Sequence, residues 1–205
     1  TSQVVGSIKF DITAPKSFIE NAKNLVQEWK LEQRKIITIA STHAPEEKDI
    51  LAALKPYLTE YPELLCIVVP RHPERFDEVL EASQSLDLNT QRRGLGQVIE
   101  QNTQVYLADS MGEMWLWYAM SQACFVGGSL NEPGGGHNIL EPIALNIPTV
   151  LGKNYFNFQT IVDEFVDASA VKIAQTAQEA ATDLVQLVYD RALVEHLNLN
   201  AANIM

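Results

Sequence analysis

A chain of 205 residues, 46% of them hydrophobic, is about the size of one large domain or two small ones and carries enough apolar matter for a real core. Its formal net charge of -11 excludes a general affinity for nucleic acid or an anionic membrane surface, because either needs a basic face; an anionic ligand has to be held by a local site. No apolar run approaches the roughly 20 residues that cross a bilayer, no signal peptide precedes Thr1, and a start without Met suggests a piece of something longer.

Phe18, Ala22, Leu25, Val26 and Trp29 mark a first amphipathic helix. Strand-like runs then alternate with helical patterns: KIITIA (35–40), LLCIVV (64–69), QVYLAD (104–109), ACFV (123–126), IPTVL (147–151) and AVKI (170–173). These runs are short, apolar and largely β-branched, as strands buried on both faces of a parallel sheet require. Between them, Ile50, Leu51, Leu54 and Leu58 recur at helical spacing, as do Phe76, Val79 and Leu80, and then Met111, Met114, Trp115 and Tyr118. Residues 83–104 are polar and contain Gly94 and Gly96; they read as the most mobile loop, around a short strand at Leu86–Leu88. Ala177, Ala181, Leu184, Leu187, Val188 and Arg191 predict one long final helix. The alternation predicts a doubly wound, mainly parallel α/β sheet. Cys66 and Cys124 sit inside apolar stretches and read as small buried hydrophobes, which suits a reducing, cytoplasmic setting.

Four successive strand runs end in polar or glycine clusters followed at once by a helix start: Ser41-Thr42-His43, Pro70-Arg71-His72-Pro73, Ser110-Met111-Gly112-Glu113 and Gly127-Gly128-Ser129. In an open parallel sheet such ends form the ligand crevice, and helix N-termini there offer free N–H groups to an anion. Structural readings compete at several positions. Ser41, Thr42 and His43 could simply cap a helix. Ser110 and Glu113 fit a capping box. Met111 falls on an apolar stripe, so its side chain reads as core and only its backbone as a contact. Arg75 could pair with Glu78 or Glu74 on a solvated face. Arg71, between two prolines, is better placed to clamp a phosphate or carboxylate with its fork.

The segment GGSLNEPGGGHNILE, from Gly127 to Glu141, holds five of the chain's ten glycines. Either it is a flexible surface loop or backbone freedom is needed there for close ligand approach. It leads into Asn138-Ile139-Leu140-Glu141-Pro142, where Asn138 could be an N-cap with Glu141 as capping partner, or Glu141 could accept from a ribose diol.

The strings ASTHAPEE, VPRHPERF, DSMGEM, FVGGS and GGHNILEP, in this order and spacing, resemble the C-terminal half of bacterial 3-deoxy-D-manno-oct-2-ulosonic acid (Kdo) transferases, glycosyltransferase family 30; the opening GSIKFD resembles the segment that enters that half. The resemblance implies a Rossmann-like half of a GT-B glycosyltransferase, with residues 1–205 as the donor-binding C-terminal domain and the N-terminal acceptor domain absent. It implies CMP-Kdo as donor, transfer with inversion to a lipid A precursor in lipopolysaccharide biosynthesis, no cofactor and no metal in the site. The setting it implies is the cytoplasmic face of the inner membrane, with membrane and acceptor contacts and the general base in the missing domain. Carried over, it sets CMP against Pro70 and Arg71, against Met111, Gly112 and Glu113, and against Asn138, Ile139, Leu140 and Glu141. Glu141 would take the ribose hydroxyls and Arg71 the phosphate. Ser41, His43, Gly128, Ser129, Gly136 and His137 are further candidate donor contacts. The extra glycine and the NEP of SLNEPGGGHN vary the family's loop.

Three other readings are open on sequence, one of them a non-catalytic nucleotide-binding or interaction module. Another GT-B transferase or a sugar-nucleotide epimerase would share the glutamate and the glycine loop. A metal-dependent hydrolase could use His43, His72 and His137 near Glu46, Asp109 and Glu141, although the spacings match no known ligand pattern.

Overall fold

The computed structural model describes residues 10–205. Seven strands form one sheet: β1 (Lys35–Thr42), β2 (Leu64–Pro70), β3 (Thr90–Arg92), β4 (Val105–Leu107), β5 (Ala123–Val126), β6 (Thr149–Gly152) and β7 (Lys172–Ala174). All neighbours are parallel, in the order β3-β4-β2-β1-β5-β6-β7. The chain winds one way from β1 through β2, then crosses to β5 on the other side of β1. The doubly wound α/β sheet expected from the sequence is therefore present, with its switch point between β1 and β5.

The period of two explains the burial of the strands on both faces. In β2, Leu64, Cys66 and Val68 enter one core, while Leu65, Ile67 and Val69 enter another. The first core is filled by α2 (Glu46–Glu60), α3 (Phe76–Ser85) and α7 (Ala177–Tyr189). The opposite face is covered by α1 (Lys16–Glu28) and α4 (Met114–Ala119), then by α5 (Leu140–Ala144) and α6 (Gln159–Asp167). Cys66 and Cys124 are buried and free, and burial pushes both thiols up.

Several expectations need correction. The predicted long final helix is two, α7 and α8 (Arg191–Ala202), because Asp190 turns the chain and caps the second by accepting from Leu193 N–H at 3.0 Å. The short strand lies at Thr90–Arg92 and not at Leu86–Leu88; Asp87 adopts φ 60° after α3, and Leu88 packs into the core. Residues 83–104, read as the most mobile loop, are tied down at many points. Buried Arg34 donates to the carbonyls of Glu63, Leu64, Glu100, Gln101 and Thr103, and the Tyr106 hydroxyl donates to Gln97 O at 2.6 Å. Met111 is not on a helix stripe: α4 starts at Met114, and Met111 is 68% exposed in the preceding turn. Of the opening GSIKFD, residues 6–9 lie outside the described residues; Phe10 stacks on Phe165 with ring centroids 5.6 Å apart. Among the described residues no helix is long and apolar enough to cross a membrane.

Candidate functional site

The carboxyl end of β1 carries an irregularity that shapes the crevice. Register with β2 slips between Ala40 and Thr42, and Ser41 takes φ 55°. None of Ser41, Thr42 and His43 caps α2, whose N-cap is Pro45 without a side-chain bond. Next door, Arg71 N–H donates to Thr42 O at 3.0 Å, fixing the turn after β2. The Arg71 side chain is exposed, and no hydrogen bond or ion pair holds it among the described residues.

A cleft of 180 Å³ opens between these ends. It gathers Ser41 from β1, Pro70 and Arg71 from β2, Met111, Gly112 and Glu113 from the turn after β4, and Glu141 from α5. Gly112 has φ +78°, a conformation that favours glycine and turns the backbone along the cleft wall. The Ser110–Glu113 capping box is absent. Ser110 Oγ instead donates to the Glu113 carboxylate, which also accepts from Arg93 Nη2 at 3.0 Å and Nε at 3.3 Å. Burial pushes the Glu113 carboxyl up, and the Arg93 and Ser110 bonds more than offset it, leaving it below its ordinary value.

Glu141 differs. The N-cap of α5 is Ile139 without a side-chain bond, so Asn138 is not the cap and forms no capping box with Glu141; Asn138 Oδ1 accepts from Leu140 N–H at 2.9 Å, two residues on. Its carboxylate is half-buried without a hydrogen-bond partner among the described residues, and burial raises its pKa. A desolvated carboxylate lacking donors is matched to a ligand that brings hydroxyls.

A smaller cleft of 110 Å³ lies alongside, lined by His43, Glu46, Gly128 and the 131–134 loop. His43 and His137 place their Nε2 atoms 2.8 Å apart, and the His43 and His72 rings lie 5.0 Å apart. Burial is the main cause pushing His137 down to about 4, aided by His43, Arg71 and His72. Burial likewise lowers His43, with Glu46 opposing. Gly128 has φ +67°, and a Cβ there would stand 2.9 Å from the His137 ring.

The other sequence candidates lie apart from the main cleft. Ser129 is fully buried, its hydroxyl donating to Val126 O and accepting from Gly152 N–H, both at 2.8 Å. Gly136 is buried and donates its N–H to Gly128 O at 2.8 Å. Ile139 is in the core, and Asn138 and Leu140 are half-buried at the start of α5.

Sequence reasoning named Glu46 and Arg75 in other roles and missed Glu47, Arg92 and Arg93, which with them hold the site together. Glu46, 1% exposed, accepts from the backbone N–H groups of His43, Gly128, Ser129 and Leu130 at 2.7–3.0 Å, clasping the glycine loop to β1. Arg75 pairs with Glu78 as expected, but Glu74 is not its partner; both guanidinium arms reach buried Glu47 at 2.8 Å. Arg92 bonds Asp109 and Asp77, and Arg93 also lies over the Trp117 and Trp29 rings. Two of the three carboxylates that a hydrolase could use are thus engaged, Glu46 by four N–H groups and Asp109 by Arg92 and Gly94 N–H, while Glu141 stands in the 180 Å³ cleft without a partner among the described residues. Among the described residues no group of three or more His, Cys, Asp or Glu is arranged to hold a metal ion.

Comparison with known proteins adds an independent line. No protein-family model matches the chain. It is 38% identical over 183 residues to the 3-deoxy-D-manno-octulosonic acid transferase of Haemophilus influenzae, covering 89% of this chain and 42% of that protein. It is 31% identical over 194 residues to the enzyme of the same name from Bordetella pertussis, covering 92% of this chain and 44% of that one. The chain therefore spans less than half the length of these curated relatives. Among solved structures, the crystal structure of the C-terminal CMP-Kdo binding domain of WaaA from Acinetobacter baumannii matches with a TM-score of 0.91 at 61% identity, covering 93% of this chain and 98% of that one.

Proposed function

The chain belongs to the 3-deoxy-D-manno-octulosonic acid transferase family, and on that premise we propose that it is the donor-binding half of an inverting glycosyltransferase that takes Kdo from CMP-Kdo in lipopolysaccharide biosynthesis. The observation that carries this reading is the 180 Å³ cleft, which gathers Pro70, Arg71, Met111, Gly112, Glu113 and Glu141 from separate strand ends. Those are six of the nine positions to which the family resemblance assigns CMP.

The division of labour follows from the chemistry of each group. Arg71, unpaired and able to present two parallel N–H donors, takes the phosphate. Glu141, desolvated and without donors of its own, accepts from the ribose diol. The carboxylate of Glu113 is already engaged by Arg93 and Ser110, so the turn it ends offers the base chiefly its backbone groups. Binding proceeds without a divalent metal, because the phosphate is met by a guanidinium and N–H groups, Glu113 is engaged by Arg93 and Ser110, and Glu141 has no second free carboxylate beside it to share a cation. The acceptor, a lipid A precursor, the general base and the contact with the inner membrane belong to the part of the relatives' length that this chain does not match.

Titration calorimetry of the chain with CMP, UMP and UDP tests the reading. Binding of CMP that survives a chelator, with UMP and UDP weaker, is the expected result. Preference for a uridine nucleotide would refute the CMP assignment, and the chelator abolishing binding would refute the metal-free site.

A further inference from the structure

The cleft just described accounts for a nucleotide and leaves a second group of side chains at the switch point without a role. His43 ends β1, His137 follows the glycine loop, and His72 follows β2. Their convergence is close, with His43 Nε2 and His137 Nε2 2.8 Å apart and the His43 and His72 rings 5.0 Å apart. We infer that His43 and His137, flanked by Arg71, form an anion subsite next to the nucleotide cleft that takes the acid group of the transferred sugar. This inference rests on reading the chain as a CMP-Kdo donor domain and adds which side chains hold the sugar end.

Three observations support an anion here. The nearest carboxylates are already engaged: Glu46 accepts from four backbone N–H groups, and Glu47 is paired with both arms of Arg75. Also facing the pair are His72 and the Arg71 guanidinium, which has no carboxylate partner among the described residues, and Glu132, exposed on the 131–134 loop, is a further acid beside His43. Finally, the Gly128 backbone packs directly against both rings and holds the pair together, since a Cβ there would stand 2.9 Å from His137 and 3.0 Å from His43.

The pair also makes the subsite proton-linked. Two imidazoles joined through Nε2 share one proton between them, one ring donating and the other accepting. In the free protein burial holds both rings neutral near pH 7, with His137 at about 4. The groups facing His43 are Glu46, Glu47, His72 and Arg75, and those facing His137 are His43, Arg71 and His72. An anion docked against the pair favours its protonated form, so its binding takes up a proton and tightens as pH falls.

The test is calorimetry of the 205-residue chain with CMP-Kdo and with CMP, in buffers of different ionisation heat between pH 6 and pH 8. CMP-Kdo should take up more proton than CMP, by on the order of half a proton or more, and its affinity advantage over CMP should shrink as pH rises. His137→Gln, and separately His43→Gln, should weaken CMP-Kdo about tenfold and abolish the excess uptake while CMP binds as before, which also reports an intact fold. Equal proton uptake by the two ligands overturns the subsite and needs no variant. So does an equal weakening of both ligands in a variant. Failure of the unaltered chain to bind CMP would instead remove the donor-domain reading on which the subsite stands.

Discussion

On the proposed donor reading, Arg71 and Glu141 should fail in different ways, because one would meet the phosphate and the other the ribose hydroxyls. A charge-assisted hydrogen bond is worth roughly 1.5–3 kcal/mol. Arg71 is solvent-exposed, which screens its contact toward the low end, so Arg71→Ala should weaken CMP about tenfold and leave cytidine, without a phosphate, nearly unchanged. Glu141→Gln should weaken CMP and cytidine alike, since the ribose diol is common to both and an amide accepts less well than a carboxylate. Stability gives the control. Burial raises the Glu141 pKa, so the folded protein disfavours the carboxylate: the stabilising contribution of a raised pKa is full at low pH and lost as pH rises through the folded value. At pH 7 Gln removes that penalty, and the melting temperature should stay level or rise while affinity falls, with the gap in melting temperature closing as pH drops through the carboxylate range. Calorimetry and melts measure both. Loss of stability with unchanged CMP affinity would make Glu141 a structural residue. Equal losses of CMP and cytidine in Arg71→Ala would refute the phosphate clamp.

Three further outcomes follow from the residues that shape the crevice. Glu46→Gln turns an amide NH₂ toward backbone donors that now meet a carboxylate, and should lower unfolding free energy by about 2 kcal/mol or more in urea denaturation. Gly128→Ala meets both an unfavourable φ of +67° and a 2.9 Å contact with His137, so it should destabilise by roughly 1–3 kcal/mol in the same assay and weaken CMP-Kdo more than CMP. Arg93→Ala frees the Glu113 carboxylate; CMP affinity should drop severalfold by calorimetry while the melt moves by about 1 kcal/mol, and Arg93→Lys should restore only part of the binding, having one charge and no fork.

The strands were legible because burial on both faces leaves continuous β-branched runs, and the polar clusters at their ends stood out against that background. Lost from view was whatever depends on contacts distant in sequence. Arg92 and Arg93 looked like part of a polar loop, and only the placement of β3 beside β4 brings them to Asp109 and Glu113. Glu46 and Glu47 are adjacent at the start of α2, and the sequence singled out Glu46 only as an acid near the three histidines. One instead clasps the glycine loop and the other pairs with Arg75, and no local pattern separates the two fates. Asp190 is the instructive miss among the helices, because apolar spacing runs across it unbroken while its side chain caps a new helix. Met111 fell on the same kind of apolar spacing, yet Gly112 at φ +78° delays the helix and leaves the methionine on the rim.

A chain of net charge -11 that is to hold an anion has to silence its own carboxylates where the anion sits. The crevice does so one residue at a time: backbone N–H groups occupy Glu46, Arg75 occupies Glu47, Arg92 occupies Asp109, and Arg93 with Ser110 occupies Glu113. Each pairing uses a basic residue or loop N–H groups on an internal acid, which leaves Arg71 as the cation at the cleft mouth without an acidic partner among the described residues. Glu141 is the carboxylate there that no donor satisfies. On the proposed donor reading the unpaired guanidinium takes a phosphate and the unsatisfied carboxylate takes vicinal hydroxyls, and a nucleoside monophosphate carries both. Selectivity at this site therefore comes from which two groups were left free, against a field that by itself repels the ligand.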